Sequence, residues 1–408
     1  MKVLYLCHRV PYPPDKGEKI RAFHQLRAIS ARHEVDLFTL ADDPQDLQYK
    51  AELERYCRKV IIVQIASSMA RFLSLRVLGS GKPLTLPYFY SRKLDREIRS
   101  ALDGRSYDRI FVYCSAMAQY VERAARIPLL MDFVDVDSDK WFQYALHKKF
   151  PLADIYRREG VCLQNYERRI CEKASKVLVT TEREAVLVRE LSSGADVHVI
   201  PNGVDTTYFS PVARMCSSPT IIFTGDMSYF PNQQAVKFFA MEVLPLIQRQ
   251  APDAKFLIVG RRPSIGVQRL GDLDGVEVTG FVPDVRTYLA RATVAVAPFA
   301  IAAGIQNKIL EALASGLPVV ATPRAVQGLS SQTREMVQTG ETVEELAAKT
   351  LSFLRDSAYA MQIGLEGRRR VSMEYSWENS LGQLMALIEN PLGERVHESA
   401  SRLLAKVL

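Results

Sequence analysis

Two Rossmann-like domains of the α/β class are predicted, on three grounds. The chain has 408 residues, more than one core comfortably serves, and domains of roughly 200 residues are the natural division. Short, almost continuously apolar runs alternate with helical patterns in both halves, as parallel strands covered on both faces require. Midway, Pro201-Asn202-Gly203-Val204-Asp205 and a polar run to Pro219 punctuate the chain before a new apolar run begins at Thr220, which marks a boundary. The expected division is 1–205, 206–374, and a closing helix and tail over 375–408.

In the first half the apolar run Lys2–Cys7 opens into the loop His8–Glu18. Ile20, Phe23, Leu26, Ala28 and Ile29 then form one stripe at helical spacing. Glu34–Thr39 completes a βαβ crossover, and without GxGxxG it carries no dinucleotide fingerprint. Further strands are expected at Val60–Ile65, Arg109–Tyr113, Pro128–Phe133, Lys176–Thr180 and Val197–Ile200, with helices over Tyr156–Ala174 and Glu182–Leu191. The second half has strands at Ile221–Thr224, Lys255–Val259, Val276–Thr279 and Thr293–Pro298, one helix over Gln233–Gln250 and a short one over Tyr288–Ala292. Val343–Arg355 is a helix. A last one starts near Tyr375 with Leu381, Leu384, Leu387 and Ile388 as its apolar face, and the tail 390–408 is weakly amphipathic.

The stretch Gly304–Thr322 predicts loop, helix, tight turn and strand after the run Thr293–Pro298. Gly304 stands where the loop enters the helix, and free backbone N–H groups with the positive dipole end suit a phosphate there. Lys308 adds a charge one turn in, and Glu311, three residues on, lies on the same face and accepts from hydroxyls. Together they suit a sugar nucleotide, while an (i, i+3) ion pair on an ordinary crossover helix is the plainer explanation. Arg261, past the end of Lys255–Val259, points to the same crevice or to solvent. In the first half, Asp132, Asp135, Asp137 and Asp139 lie at and past the end of a strand. A metal site, acceptor binding or general-base work, and capping of the next helix are the three explanations.

Composition is that of an ordinary globular protein, 48% hydrophobic and 24% charged. Six scattered cysteines without metal spacing suit a reducing compartment, and the opening residues are too short an apolar run for a signal peptide or span. A cytoplasmic location is expected. The net charge of +7 is uneven: residues 1–200 carry 33 Lys and Arg against 26 Asp and Glu, and residues 201–408 carry 20 of each. Residues 51–100 hold 10 basic and 4 acidic groups around Leu86-Pro87-Tyr88-Phe89-Tyr90. That pattern fits an anionic membrane surface, nucleic acid, or a solvated face with no partner.

The order of segments resembles the GT-B-fold glycosyltransferases of family four, the retaining sugar-nucleotide-dependent group, over nearly the whole chain. Ile200–Asp205 with Tyr208-Phe209-Ser210-Pro211, Glu311–Thr322 and Tyr375-Ser376-Trp377-Glu378 carry the resemblance. Gly304-Ile305-Gln306-Asn307-Lys308 and Asp132–Ser138 further resemble the branch associated with exopolysaccharide synthesis in exosortase (PEP-CTERM) systems. The resemblance implies two Rossmann-like domains facing a cleft, with the C-terminal helix packing back on the first domain. It implies a nucleotide-diphosphate sugar as donor and a saccharide acceptor, lipid-linked in this reading, with no resident cofactor, no metal and no nucleic-acid partner. Glu311 is then expected on the donor ribose, Gly225, Gly304, Ile305 and Gln306 around sugar and diphosphate, and Phe281 and Val282 at the base. Gly17, Arg21 and Asp137 are expected on the acceptor side, and Lys308, Arg261 and Asp135 as the catalytic groups.

The chain departs from that pattern in two places. Ala303 stands where the family usually has a glutamate eight residues before the position of Glu311, and Gly225–Asn232 lacks the arginine and lysine usual there. Two other classes stay open: a sugar-nucleotide epimerase, which can use the same two-domain architecture and donor site, and a non-catalytic sugar-nucleotide-binding subunit, which Ala303 keeps alive.

Overall fold

The computed structural model describes residues 1–14, 17–65, 77–122, 124, 126–146, 148–211, 218–302 and 304–390. Ala303, Cys216, the tail beyond Asn390, and parts of the basic 51–100 segment and of the loops at 15–16 and 212–217 lie outside the described residues. The chain divides into two compact units, Met1–Ile200 with Leu381–Leu408, and Pro201–Ser380. The first passage falls at 200/201 where the sequence suggests 205/206, and the second inside the last helix rather than before it.

The first unit is a parallel sheet of β1 (Lys2–Cys7), β2 (Glu34–Ala41), β3 (Lys59–Gln64), β4 (Arg109–Tyr113), β5 (Leu129–Val134), β6 (Lys176–Val179) and β7 (Val197–Val199), ordered β3-β2-β1-β4-β5-β6-β7. Side chains alternate between its faces. Leu4, Leu6, Phe38, Leu40, Val112 and Met131 build one core layer. Val3, Tyr5, Leu37, Phe111 and Tyr113 build the other, covered by Ala22, Leu26 and Ile29 of α1 (Gly17–Ser30). Helices α2 (Arg92–Gly104), α3 (Asp137–Leu146), α4 (Leu152–Lys173) and α5 (Glu182–Leu191) complete the unit. The end of the last helix packs on the α1 face: Leu384, Met385 and Ile388 are buried there, and Arg109 Nε donates to Ile388 O at 3.0 Å. That is the expected return of the C-terminal helix to the first domain.

A polar knot closes this core. Arg21 is 1% exposed and Asp132 fully buried. Arg21 Nε donates to Asp132 Oδ2 at 3.0 Å and Nη1 to Ile200 O at 2.8 Å, and Gln25 Nε2 donates to Asp132 Oδ2 at 2.6 Å. This corrects the placement of Arg21 among acceptor-binding groups. Its guanidinium is committed inside the core, because a charge that deep must be paired and hydrogen-bonded.

The second unit is a parallel sheet of β8 (Thr220–Thr224), β9 (Lys255–Val259), β10 (Val276–Gly280), β11 (Val294–Ala297), β12 (Val319–Ala321) and β13 (Val337–Thr339), ordered β10-β9-β8-β11-β12-β13. The single helix expected over Gln233–Gln250 is α6 (Phe230–Phe238), a π-helical turn Phe239–Val243 and a last segment Leu244–Gln248. Pro245 explains the break, since it lacks an N–H and its ring crowds the carbonyl four residues back. Further on come α7 (Asn307–Ala314), α8 (Val343–Arg355), α9 (Ser357–Glu374) and α10 (Trp377–Glu389).

Strand β13 and helix α9 are absent from the expectations. Gly364 and Gly367 interrupt the α9 pattern because the helix uses them for contact: a Cβ at Gly364 would lie 1.9 Å from Gly316 O and one at Gly367 2.7 Å from Leu313 Cδ2. The two passages of chain at the edge of this unit lie side by side. Val204 N donates to Tyr375 O at 2.7 Å, Val204 bridges Ser376, and Gly203 leaves room for Trp377, which a Cβ would meet at 2.5 Å.

Arg21→Met should cost roughly 3–5 kcal/mol by leaving Asp132 buried without its cation. Arg21→Met with Asp132→Leu should recover much of that loss in urea unfolding. Gly364→Ala should cost about 1–3 kcal/mol, the usual penalty of overpacking, in the same measurement.

Candidate functional site

In the second sheet, the chain steps outward from β8 to β9 and β10, then returns to the other side of β8 as β11. At such a reversal the loops after the two neighbouring strands diverge and leave a crevice at their carboxyl ends. Here those loops are Gly225–Tyr229 and, among the described residues, Pro298–Ala302 with Gly304–Gln306, and α7 starts from the second.

Lys308 is half-buried at this crevice. Its Nζ donates to Asn232 Oδ1 at 3.1 Å and lies 4.6 Å from the ring centre of Phe299 and 5.0 Å from that of Phe223. Burial pulls its pKa down to about 8, with the Glu311 carboxylate acting the other way. Glu311, also half-buried, is raised by burial and drawn back by Lys308. The polar partner of the ammonium is Asn232 rather than Glu311, so the surface ion pair that spacing allows is not what forms. Asn232 is 5% exposed, and its Nδ2 donates to Asp226 O at 2.8 Å, which turns the carbonyl end of the amide to Lys308. Sequence reasoning passes over Asn232, since nothing in Phe230-Pro231-Asn232 signals a contact with residue 308.

Two glycines let the backbone come this close. A Cβ at Gly225 would lie 2.9 Å from Asn232 Nδ2 and 3.3 Å from Lys308 Cε, and one at Gly260 would lie 1.7 Å from Gly225 O. Gly304 takes the left-handed φ of 59°, and Gly328 packs on its carbonyl, which a Cβ would meet at 2.2 Å. Gln306 is the N-cap of α7, and Asn202 Nδ2 reaches Asn307 Oδ1 at 3.2 Å. Ile305 sends its side chain into the core, 9% exposed. Past β10, Phe281 is 73% exposed while Val282 packs partly against the core.

Arg261 stands in the expected loop with its charge already engaged. Its Nε is 3.2 Å from Asp226 Oδ2, and Arg262 pairs with the same carboxylate. Although burial pushes Asp226 up, the bonds from Arg262 and Ser228 prevail and hold its pKa at about 2. Of the two cations expected to hold one diphosphate, Arg261 is thus paired with a carboxylate and Lys308 with an amide oxygen. Arg261 braces the loop after β8 through Asp226, and Lys308 lies at the crevice beside Asn232.

In the first sheet the order reverses between β1 and β4. Gly17 opens α1 there and is exposed. Arg9 is held by Glu18 Oε1 at 2.7 Å and Asp42 Oδ2 at 2.9 Å. The His8 ring stacks on Tyr113 at 5.8 Å, and burial, with Arg9 and Lys140 beside it, lowers its pKa to about 3 against the pull of Asp42. It is neutral at physiological pH.

Asp135 and Asp137 come together around Lys140, whose Nζ is 3.3 Å from Asp135 Oδ2 and 3.9 Å from Asp137 Oδ1. Ser115 Oγ donates to Asp137 Oδ2 at 2.8 Å, and burial raises Asp137 while Lys140 and Ser115 draw it back. The first turn of α3 is served by Glu167 of α4, which accepts from Ser138 N at 3.1 Å. Glu184, in a capping-box position with Thr181, is raised to about 8 by burial and by the neighbouring Asp135. Among the described residues no group of three or more His, Cys, Asp or Glu is arranged to hold a metal ion.

Residues 17–203 match the family model described as glycosyl transferase 4-like domain, and residues 218–356 the one described as glycosyl transferases group 1. The MMP alpha-(1->4)-mannosyltransferase of Mycolicibacterium hassiacum is 26% identical over 240 residues, 55% of this chain and 56% of that protein. The GDP-mannose-dependent alpha-(1-6)-phosphatidylinositol monomannoside mannosyltransferase of Mycobacterium tuberculosis is 26% identical over 215 residues, 47% of this chain and 55% of that protein. The chain spans about half the length of the curated relatives it matches.

Similar folds are those of Anabaena Alr3699/HepE, solved with UDP-glucose, and of WaaG, a glycosyltransferase involved in lipopolysaccharide biosynthesis. HepE has a TM-score of 0.62 at 17% identity over 96% of this chain and 100% of that one. WaaG has 0.63 at 16% over 95% and 99%. In sequence and in fold the chain belongs with the GT-B glycosyltransferases of family four, a glycosyl transferase 4-like domain followed by a group 1 domain.

Proposed function

We propose that this chain transfers a sugar from a nucleotide-diphosphate sugar to a saccharide acceptor, and that Lys308 holds the departing diphosphate. The observation that carries the reading is the Lys308 ammonium poised at the carboxyl-end crevice of the group 1 domain, one helical turn before Glu311. As the glycosidic bond breaks, negative charge grows on the diphosphate oxygen, and a fixed cation aimed there favours the transition state over the ground state. Glu311 accepts from the ribose hydroxyls, Gly225, Gly304, Ile305 and Gln306 border sugar and diphosphate, and Phe281 and Val282 border the base. The relatives' names include GDP-mannose and the neighbours' titles UDP and UDP-glucose, which supports the donor class.

Retention follows from a same-face displacement. The acceptor oxygen bonds to the anomeric carbon as the carbon–oxygen bond to phosphate breaks, and the acceptor's proton passes to a phosphate oxygen. Such a step needs no protein base, and with Lys308 supplying the charge it needs no resident cofactor or divalent metal. Asp135 and Asp137, past the end of β5, and Gly17, at the first sheet's reversal, orient the acceptor. The fuller reading is a lipid-linked acceptor in bacterial exopolysaccharide synthesis of the exosortase type, with the basic first half resting on the cytoplasmic face of a membrane. No nucleic acid enters it.

A thermal-shift panel of UDP-, GDP- and ADP-sugars tests donor binding, since a ligand at about 100 times its Kd stabilises by about 2.7 kcal/mol. Lys308→Ala should lower kcat/KM by about 10²–10³, the range for losing one transition-state donor, and unchanged transfer would refute the assignment. The lysine is charged below its pKa, so kcat/KM should fall as pH rises through about 8. Lys308→Arg should keep activity and remove that alkaline limb.

A further inference from the structure

We propose that the α3–α4 hairpin tip is a docking surface for an anionic lipid bilayer. This rests on the peripheral-membrane part of the reading above and names the element responsible. Phe150 is 84% exposed, Leu146 79% and Leu152 48%, and the first two are the most exposed large apolar side chains among the described residues. Lys148 and Lys149, between them in sequence, are also exposed. The carboxylate in this stretch, Asp154, is paired with Arg157 at 2.9 Å, so the tip is cationic and apolar together.

The tip is held out on a firm stem. Trp141 and Tyr156 meet edge to face at 4.9 Å, and the Phe142 ring fills a notch over Gly160 that a Cβ would enter at 2.6 Å. About two turns down α4, Arg158 Nη2 donates to Val77 O at 2.8 Å and Lys82 O at 2.9 Å, which ties the stem to the neighbouring segment.

Exposed apolar side chains next in sequence to exposed lysines match an interface where hydrocarbon lies under anionic headgroups. A second copy of this chain fits less well. A two-fold contact through the tip would oppose Lys148 and Lys149 to themselves, and three side chains fall far short of the roughly 800 Å² per partner that stable dimers bury. Each lysine near the headgroups strengthens partition about five-fold at low salt.

The test uses the full chain with phosphatidylcholine vesicles and with mixed phosphatidylcholine–phosphatidylglycerol vesicles in sedimentation. The wild type should prefer the mixed vesicles and be released by salt. Leu146→Ser with Phe150→Ser should weaken that binding on the order of ten-fold, and Lys148→Glu with Lys149→Glu should abolish the preference for anionic lipid. Both should leave melting temperature and transfer to a water-soluble acceptor unchanged. Equal binding to the two vesicle types, or wild-type binding by the serine variant, would overturn the proposal, as would a dimer in lipid-free solution that Phe150→Ser dissolves. Loss of vesicle binding with transfer intact speaks to docking alone, whereas absent transfer with vesicle binding intact would strike only the glycosyl-transfer reading.

Discussion

An ammonium group held between two phenyl rings and one amide oxygen is the constraint on which the second unit turns. Taking a lysine out of water is unfavourable unless something replaces its hydration. At Lys308 the replacements are the Asn232 carbonyl oxygen, the faces of Phe223 and Phe299, and the nearby Glu311 charge. None of the first three carries a full negative charge, so the cation is under-compensated. An anion arriving at the crevice would interact with it more strongly than with a hydrated surface lysine. The rest of the loop keeps that geometry: Arg261 and Arg262 hold Asp226, Asp226 O holds Asn232, and Asn232 holds Lys308.

The first unit solves a related problem with a buried ion pair. Asp132 Oδ1 accepts from Val134 N at 3.0 Å while Oδ2 takes Arg21 and Gln25. Val134 has φ 67°, a conformation costly for a β-branched residue that persists only where surrounding contacts impose it. The next residue is Asp135. The ion pair fixes a strained turn, and the strained turn aims the carboxylate. Arg21, 1% exposed, thus bears on the acidic cluster from inside the core, through Asp132.

The strands were legible because period-two burial and near-continuous apolar runs are local properties, and every parallel strand longer than three residues follows from them. Helix α9 was not, because glycines normally weaken a helix and only the turn at Gly316 shows why Gly364 is there. The π-helical turn was hidden by the same apolar pattern that marks an α-helix. At the site, position along the chain placed Gly225, Arg261, Gly304, Lys308 and Glu311 at strand ends or helix starts. Partnership was beyond it: Asn232 and Lys308 are separated by 76 residues, and Arg21 and Asp132 by 111. Spacing announces which residues share a helix face, and only the folded chain decides which of them is already spent on a neighbour.

The distribution of charge follows the same logic. The excess of basic groups belongs to the first half, yet its deeper arginines are matched. Asp36, 1% exposed, takes Arg58 and Arg105, each at 2.7 Å, together with the Tyr107 hydroxyl, and Arg9 is shared by Glu18 and Asp42. Burial enforces that matching, since an unpaired charge inside costs far more than one outside. The surplus is thereby driven to the surface, where it acts over a Debye length on whatever approaches. The +7 of the first half therefore does not locate the diphosphate cation: Lys308, proposed for that role, sits in the half of the chain whose net charge is zero.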